Sequence, residues 1–262
     1  MTAMRLTDTI HRRLPLHLAT LALIAILLVS AVHATGADPV HLLRNGDQML
    51  IVLTRLLSPD WGYLPSVLPA LAQTVQMAIA GTALGVAAAV PVAFAATSVV
   101  SGTLLVTAPL RMVLNVVRTI PDMLLAGIFV AVVGTGAFTG TIALAVFTFG
   151  MVTKLLYEAI DTIDRRPLDA LVATGAGRSA LAVHGVLPQV RPSLVSYALY
   201  ALEVNVRASA VLGYMGAGGI GVTLQSTMGL MRYDRVAVII LAIFVVVLVI
   251  DLISGAVRRR LL

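Results

Sequence analysis

The sequence predicts an all-α integral membrane protein with about six transmembrane helices. Of its 262 residues, 59% are hydrophobic and only 11% are charged, and so few charges cannot cover the surface of a soluble domain. The uncharged runs are long, and the longest of them lies between Asp60 and Arg111. Because about 20 apolar residues suffice for a helix to cross a bilayer, these runs favour a bundle of membrane-spanning helices.

Composition also excludes several kinds of chemistry. The chain has no cysteine, which excludes disulfides, thiolate nucleophiles and most zinc sites, and its five histidines show no metal-ligand spacing. The net charge of +6 comes from short basic segments without interleaved aromatic residues, which indicates membrane topology rather than nucleic-acid binding. The single lysine, Lys154, follows Gly-Met-Val-Thr and not a Walker A loop. We therefore expect neither an ATP site nor a metal cofactor in this chain.

The first predicted span covers residues 14–34 and follows a basic segment that holds Arg5, Arg12 and Arg13. A cleaved signal peptide is the alternative, because the run ends on Val-His-Ala, which resembles a cleavage site. The run is longer than the ~7 to 15 residues of a signal-peptide core, so we expect a retained anchor. Residues 35–66 are interpreted either as an amphipathic helix on the outer surface or as a linker. Residues 1–66 then form an N-terminal region, and residues 67–262 form the core.

The remaining apolar runs predict further spans at residues 67–97, 112–133, 141–157, 192–214 and 236–257. Gly81 and Gly85 form a GxxxG pair that would admit a neighbouring helix closely, although chance is a strong alternative in a run this rich in glycine and alanine. Most of the 18 basic residues fall on one side of this layout. The positive-inside rule then places both termini and the loop 158–191 in the cytoplasm.

Ionisable residues inside a predicted span are candidates for function, since they are costly in a membrane. Glu203 and Arg207 are four residues apart and can pair on one helix face. We expect a functional role for them, with a purely structural ion pair as the alternative. Asn205 faces another direction and could hydrogen-bond a neighbouring helix.

Two further segments interrupt the apolar runs. Arg118 precedes Pro121 and Asp122, and it lies either at the inner mouth of the bundle or at the interface as a topology anchor. Residues 216–221, GAGGIG, match the dinucleotide pattern GxGxxG, but no βαβ unit surrounds them, so we reject a dinucleotide site. Gly216, Gly218 and Gly219 are interpreted either as a bend that lines a cavity or as a plain loop.

The most polar stretch is the loop 158–191. Pro167 suits the first turn of a helix, and Leu168, Leu171 and Val172 recur at helical spacing. Gly175 is expected to end this helix, and Pro188 disturbs the backbone after a second one. The loop is therefore predicted to form a short helix, a glycine bend and a second helix.

The same loop resembles the EAA loop of ABC importer permeases. At the spacing of that motif the chain has Asp169, Ala170, Gly175, Leu187 and Pro188, with the acidic Asp169 at the position of Glu. It departs from the motif by Asp169 for Glu, Leu171 for the second Ala and Gly185 for Ile. Together with the segments 203–221 and 117–122, the loop makes the chain most similar to the phosphonate ABC transporter permeases, from about Trp61 onward.

The resemblance implies a type I ABC importer permease bundle in the bacterial inner membrane, and a transport subunit rather than an enzyme. It implies a homodimer, two separate ATP-binding subunits that hold ATP and Mg²⁺, and an extracytoplasmic binding protein. The residues expected to couple to the ATPase are Pro167, Leu168, Asp169, Ala170, Leu171, Gly175, Leu187 and Pro188. The residues assigned to the translocation pathway are Arg118, Asp122, Glu203, Asn205, Arg207, Gly216, Gly218 and Gly219.

The apolar stripe of the short helix is expected to fit a cleft on the ATPase, since Leu168 and Leu171 would otherwise be exposed. The alternative for this stripe is an amphipathic loop that rests on the inner membrane surface. Phosphonate is the implied substrate, and phosphate or phosphite is a close alternative because these oxyanions share their shape and charge. A permease for another solute class, or a self-sufficient secondary transporter, stays open.

Overall fold

The computed structural model describes residues 14–36, 44–101 and 103–261, and these residues form helices and turns without a strand. The all-α prediction is confirmed. The longer helices are α1 Leu14–Thr35, α2 Gly46–Leu56, α3 Leu64–Ala95, α4 Leu104–Thr119, α5 Asp122–Val133, α6 Ala137–Asp161, α7 Arg166–Ala173, α8 Leu187–Leu212, α9 Ile220–Gly229 and α10 Tyr233–Leu261. Short helical segments lie at Trp61–Tyr63, Ser98–Ser101, Arg178–Ala180, Leu181–Val186 and Gly213–Met215.

The chain divides by its internal contacts into two units, with the division between Thr54 and Arg55. The first unit contains α1, which matches the first predicted span. The basic residues Arg5, Arg12 and Arg13 lie outside the described residues. Helix α2 carries Asp47 in its first turn and Arg55 in its last, an arrangement that suits the helix dipole. The domain boundary predicted at residue 66 stays a prediction.

Several helices are long and apolar enough to cross a membrane. In the described part of the chain there are four of them, namely α1, α3 with its preceding turn, α6 and α10, and a fifth if the bent pair α4–α5 is one span. Helix α8 has 26 residues, but it is not among them. Its polar side chains, which include Arg191, Glu203 and Arg207, lower its apolar content.

The third predicted span is not one continuous helix, which corrects the prediction for residues 112–133. Helix α4 begins at Leu104, and its axis meets that of α5 at 87°. Ile120 and Pro121, between the two helices, both have extended backbones. Proline lacks an N–H and disfavours helical geometry in the residue before it, so the bend follows from Pro121.

Helices α3 and α6 pack with their backbones close together. A Cβ atom added to Gly81 would lie 2.7 Å from Cβ of Leu144, and one added to Gly85 would lie 2.5 Å from Cβ of Thr148. Real Cβ atoms do not approach other atoms this closely, so only glycine fits at both positions. The predicted role of this GxxxG pair is confirmed.

Candidate functional site

Glu203 forms an ion pair with Arg258, and not with Arg207 as the sequence predicted. The Glu203 side chain on α8 is only 7% exposed, and its Oε1 accepts a hydrogen bond from Nη2 of Arg258 in the last turn of α10. Arg207 instead donates from Nε to the backbone carbonyl of Glu203 at 3.2 Å. A buried carboxylate needs a cation from whichever helix packs against it. Sequence reasoning missed Arg258 because it ended the last predicted span at residue 257.

Arg207 has no acidic partner among the described residues. Its side chain is exposed, and no carboxylate lies within salt-bridge distance of it in the described ranges. The backbone carbonyl of Glu203 uses only Nε, and the other guanidinium donors remain available to a ligand.

Asn205 joins three helices. Its Nδ2 donates to Oγ1 of Thr82 on α3 at 2.8 Å and to Oγ1 of Thr148 on α6 at 2.7 Å. The predicted hydrogen bond to a neighbouring helix is therefore confirmed. The Asn205 side chain has no exposed surface, so in this conformation it holds the bundle together and does not line an open pathway.

A cavity of about 180 Å³ lies between the α4–α5 bend and α6, and Arg118 is part of its wall. The Cγ atom of Arg118 would be only 3.1 Å from a Cβ added to Gly150, so Arg118 packs along α6 over a glycine. Asp122 is half-buried at the start of α5. The structure thus brings Arg118 to a cavity next to the bend, whereas Glu203 and Arg207 lie on α8.

The glycine segment 216–221 connects α8 to α9 and is held tightly against other helices. Gly216, Gly218 and Gly219 have φ angles of +84°, +84° and +71°, values that favour glycine. The N–H of Gly219 donates to Oε1 of Gln73 at 3.0 Å, and that of Ile220 donates to Oγ1 of Thr74 at 2.7 Å. These two α3 side chains satisfy N–H groups at the start of α9. Sequence reasoning missed both.

We expect Gly219→Ala to destabilise the bundle. The backbone at φ +71°, ψ −161° costs an L-residue about 1–3 kcal/mol, and the new Cβ would lie 2.6 Å from Oγ1 of Thr74, which caps α9. The measurement is the thermal unfolding midpoint in detergent. Gly127→Ala is the matched control, because Gly127 lies within α5 with open space around it. Equal midpoints for the two variants would contradict the packing described here.

The polar loop forms the predicted helix and glycine bend. Helix α7 has Pro167 in its first turn. At its end Gly175 has φ +80°, its N–H donates to the carbonyl of Val172 at 2.9 Å, and the N–H of Ala176 donates to that of Leu171 at 3.1 Å. These two bonds form a Schellman motif, which requires a left-handed residue at position 175.

Two residues of the apolar stripe, Leu168 and Leu171, face this chain's own core, whereas Val172 is exposed, which corrects the expectation that Leu168 and Leu171 would be exposed. Leu168 is buried and Leu171 is half-buried. A Cβ added to Gly185 would lie 3.1 Å from Leu171 and 3.4 Å from Leu168, so the glycine that replaces Ile of the EAA motif leaves room for both. The exposed residues of the predicted coupling set are Pro167, Asp169, Ala170, Gly175 and Pro188, whereas Leu187 is half-buried.

Comparison with known proteins decides the family. The sequence profile described as "Binding-protein-dependent transport system inner membrane component" matches residues 81–262. The chain belongs to this family. It is 38% identical to a phosphite transport system permease protein of Stutzerimonas stutzeri, over 85% of this chain and 81% of that protein. It is also 40% identical to a putative cryptic phosphonate transport system permease protein of Escherichia coli, over 45% of this chain and 98% of that protein.

The fold of this inner membrane component is that of known ABC importer permeases. A solved structure of the inward-facing MetNI methionine ABC transporter covers 78% of this chain, with a TM-score of 0.68 and 20% sequence identity. The match extends over 99% of that chain. The predicted resemblance to phosphonate ABC transporter permeases and the predicted bundle are both confirmed.

Proposed function

We propose that this chain is the membrane-spanning subunit of an ATP-driven importer for phosphonate or a related oxyanion, phosphite or phosphate. Two copies form a pathway that opens alternately to an external binding protein and to the cytoplasm. Two separate subunits bind ATP and Mg²⁺ and hydrolyse the ATP, and this chain itself holds no cofactor. It lies in the bacterial inner membrane with both termini in the cytoplasm.

The exposed guanidinium of Arg207 is the observation that supports the substrate class. Its guanidinium is exposed on a helix of the bundle, and it has no carboxylate partner in the described part of the chain. A guanidinium presents several N–H donors in a planar fork, which suits the oxygen atoms of a tetrahedral anion. An unpaired charge inside a membrane is costly and is retained for function. The names of the phosphite and phosphonate relatives agree with this substrate class.

The exposed side of α7 is the surface proposed to meet the ATPase. Because Leu168 is buried in this chain, the contact uses Pro167, Asp169, Ala170 and Val172, which are exposed. The Leu168–Leu171 part of the stripe then has a different role from the one the sequence predicted. It attaches α7 to the bundle, so a force on α7 reaches the membrane helices.

Reconstitution tests the proposal. We expect proteoliposomes that contain this chain, its ATP-binding subunit and the binding protein to take up radiolabelled phosphonate, phosphite or phosphate only when ATP is present. Omission of the ATP-binding subunit is the control. Uptake that proceeds equally well without that subunit would contradict the proposal and would indicate a self-sufficient transporter.

We expect Gly175→Val to weaken assembly with the ATP-binding subunit. A β-branched residue at φ +80° is strained, so the Schellman motif opens and α7 loses its orientation. Co-purification of the ATP-binding subunit is the measurement. Gly177→Val is the matched control, because Gly177 has an extended backbone (φ −75°, ψ 170°) and open space. If both variants bind the subunit as the unmodified chain does, α7 is not the docking helix.

A further inference from the structure

A polar network next to α7 joins the ends of α3 and α6 to the middle of α4. Arg111 of α4 donates from Nε to the carbonyl of Ala96 and from Nη2 to Oδ2 of Asp161, both at 2.7 Å. Thr97 donates from Oγ1 to Oδ1 of Asp161, also at 2.7 Å. The guanidinium carbon of Arg111 lies 4.5 Å from the ring centroid of Tyr157 on α6, within cation–π distance. One arginine therefore binds the end of α3, the end of α6 and an aromatic ring at once.

The network is directly connected to α7. Asp161 is the last residue of α6, and the chain runs from it into α7, which begins at Arg166. Leu168 of α7 is buried in an apolar cluster that also contains Ala96 and Tyr157. Helix α7 therefore touches the same junction by chain connection and by apolar packing.

Helix α4 connects the network to the cavity at the helix bend. Arg111 and Arg118 lie on the same helix, α4, and Arg118 is part of the cavity wall at the 87° turn into α5. Rigid helices joined by charged hydrogen bonds carry displacement between sites. A movement of Asp161 thus acts on Arg111 and, through α4, on the bend.

We infer that Asp161, Arg111 and Thr97 are positioning residues that transmit the movement of α7 to the α4–α5 bend. They couple ATP hydrolysis by the partner subunit to the opening of the pathway. This inference rests on the proposed function, because that function supplies the partner that moves α7. The network is half-buried, with 32% of the Arg111 side chain and 31% of the Asp161 side chain exposed.

Asp161→Asn tests the inference in the reconstituted importer. We expect normal co-purification and normal basal ATP hydrolysis, whereas the stimulation of hydrolysis by phosphite-loaded binding protein falls about tenfold, together with uptake. Thr97→Val removes the hydroxyl donor without changing any charge. We expect it to reduce the stimulation of hydrolysis as well, by a smaller factor than Asp161→Asn does.

Glu158→Gln is the matched control. Glu158 lies one turn earlier on α6 and pairs at 3.4 Å with Lys154 of the same helix, so this pair joins no other element. Its removal changes the charge as Asp161→Asn does, and it should leave stimulation unchanged. A proportional fall of basal and stimulated hydrolysis in Asp161→Asn would show a merely structural role and would overturn the inference.

Hydrogen exchange of the chain alone in nanodiscs separates this inference from the proposed function. We expect faster exchange in both α4 and α7 for Asp161→Asn, and unchanged exchange for Glu158→Gln. Unchanged exchange in α4 of Asp161→Asn would overturn the link even if uptake by the unmodified importer requires ATP. A different outcome would count against the proposed function alone. In it, hydrogen exchange in α4 and α7 is faster in Asp161→Asn, but the unmodified importer shows no ATP-dependent uptake.

Discussion

Arg258→Ala is expected to destabilise the permease strongly. The change leaves the Glu203 carboxylate, only 7% exposed, without its cation. Breaking a buried pair by removing one partner costs on the order of 3 to 5 kcal/mol. The measurement is the midpoint of thermal unfolding in detergent, followed by size-exclusion chromatography.

The arginine triplet supplies its own controls. Arg259→Ala and Arg260→Ala remove the same charge from the same helical turn, but both side chains are exposed. We expect both controls to unfold at the midpoint of the unmodified chain. The double variant Glu203→Gln with Arg258→Gln removes both charges and should recover most of the lost stability. Equal midpoints for Arg258→Ala and Arg259→Ala would rule out the Glu203–Arg258 pair as a stabilising contact.

Arg207→Met is expected to abolish uptake while the permease still folds and assembles. Methionine retains much of the apolar stem and removes the guanidinium, so a transported anion loses its favourable charge. Folding is preserved because the carboxylate of Glu203 is paired with Arg258 and not with Arg207. Uptake of radiolabelled substrate by proteoliposomes is the measurement, and chromatography checks assembly.

Arg191→Met is the control for a general effect of charge. Arg191 is exposed near the start of the same helix, α8, and its loss changes the net charge equally. Arg207→Lys keeps the charge but not the planar fork, and we expect it to retain part of the uptake. Near-normal uptake by Arg207→Met would reduce Arg207 to a structural residue.

Helices and their breaks were largely predictable because their causes are local. Uncharged runs located α1, α3, α6 and α10, and the positive φ of Gly175 follows from its place after an amphipathic helix. The Ile120–Pro121 bend was missed, since the predicted span at residues 112–133 ran through it, although its cause is local and the proline that produces it is visible in the sequence.

Contacts between distant residues were not predictable in the same way. Glu203 has a cation four residues away in sequence and nevertheless pairs with Arg258, because helix packing decides which charge reaches a buried carboxylate. The stripe on α7 was correctly identified as apolar, but periodicity cannot say which surface it contacts. Gly185 decides that question, since it opens the space that Leu168 and Leu171 occupy.

The close packing of α3 on α6 gives the permease a fixed reference frame. With glycine at positions 81 and 85 and the amide of Asn205 bonded to both helices, the pair cannot slide without a steric clash or the loss of buried hydrogen bonds. Because the chain has no cysteine, spin labels can be attached at single engineered cysteines. Distances between labels on α3 and α6 should stay constant through a transport cycle, so that pair can serve as the origin from which the displacement of α5 is measured.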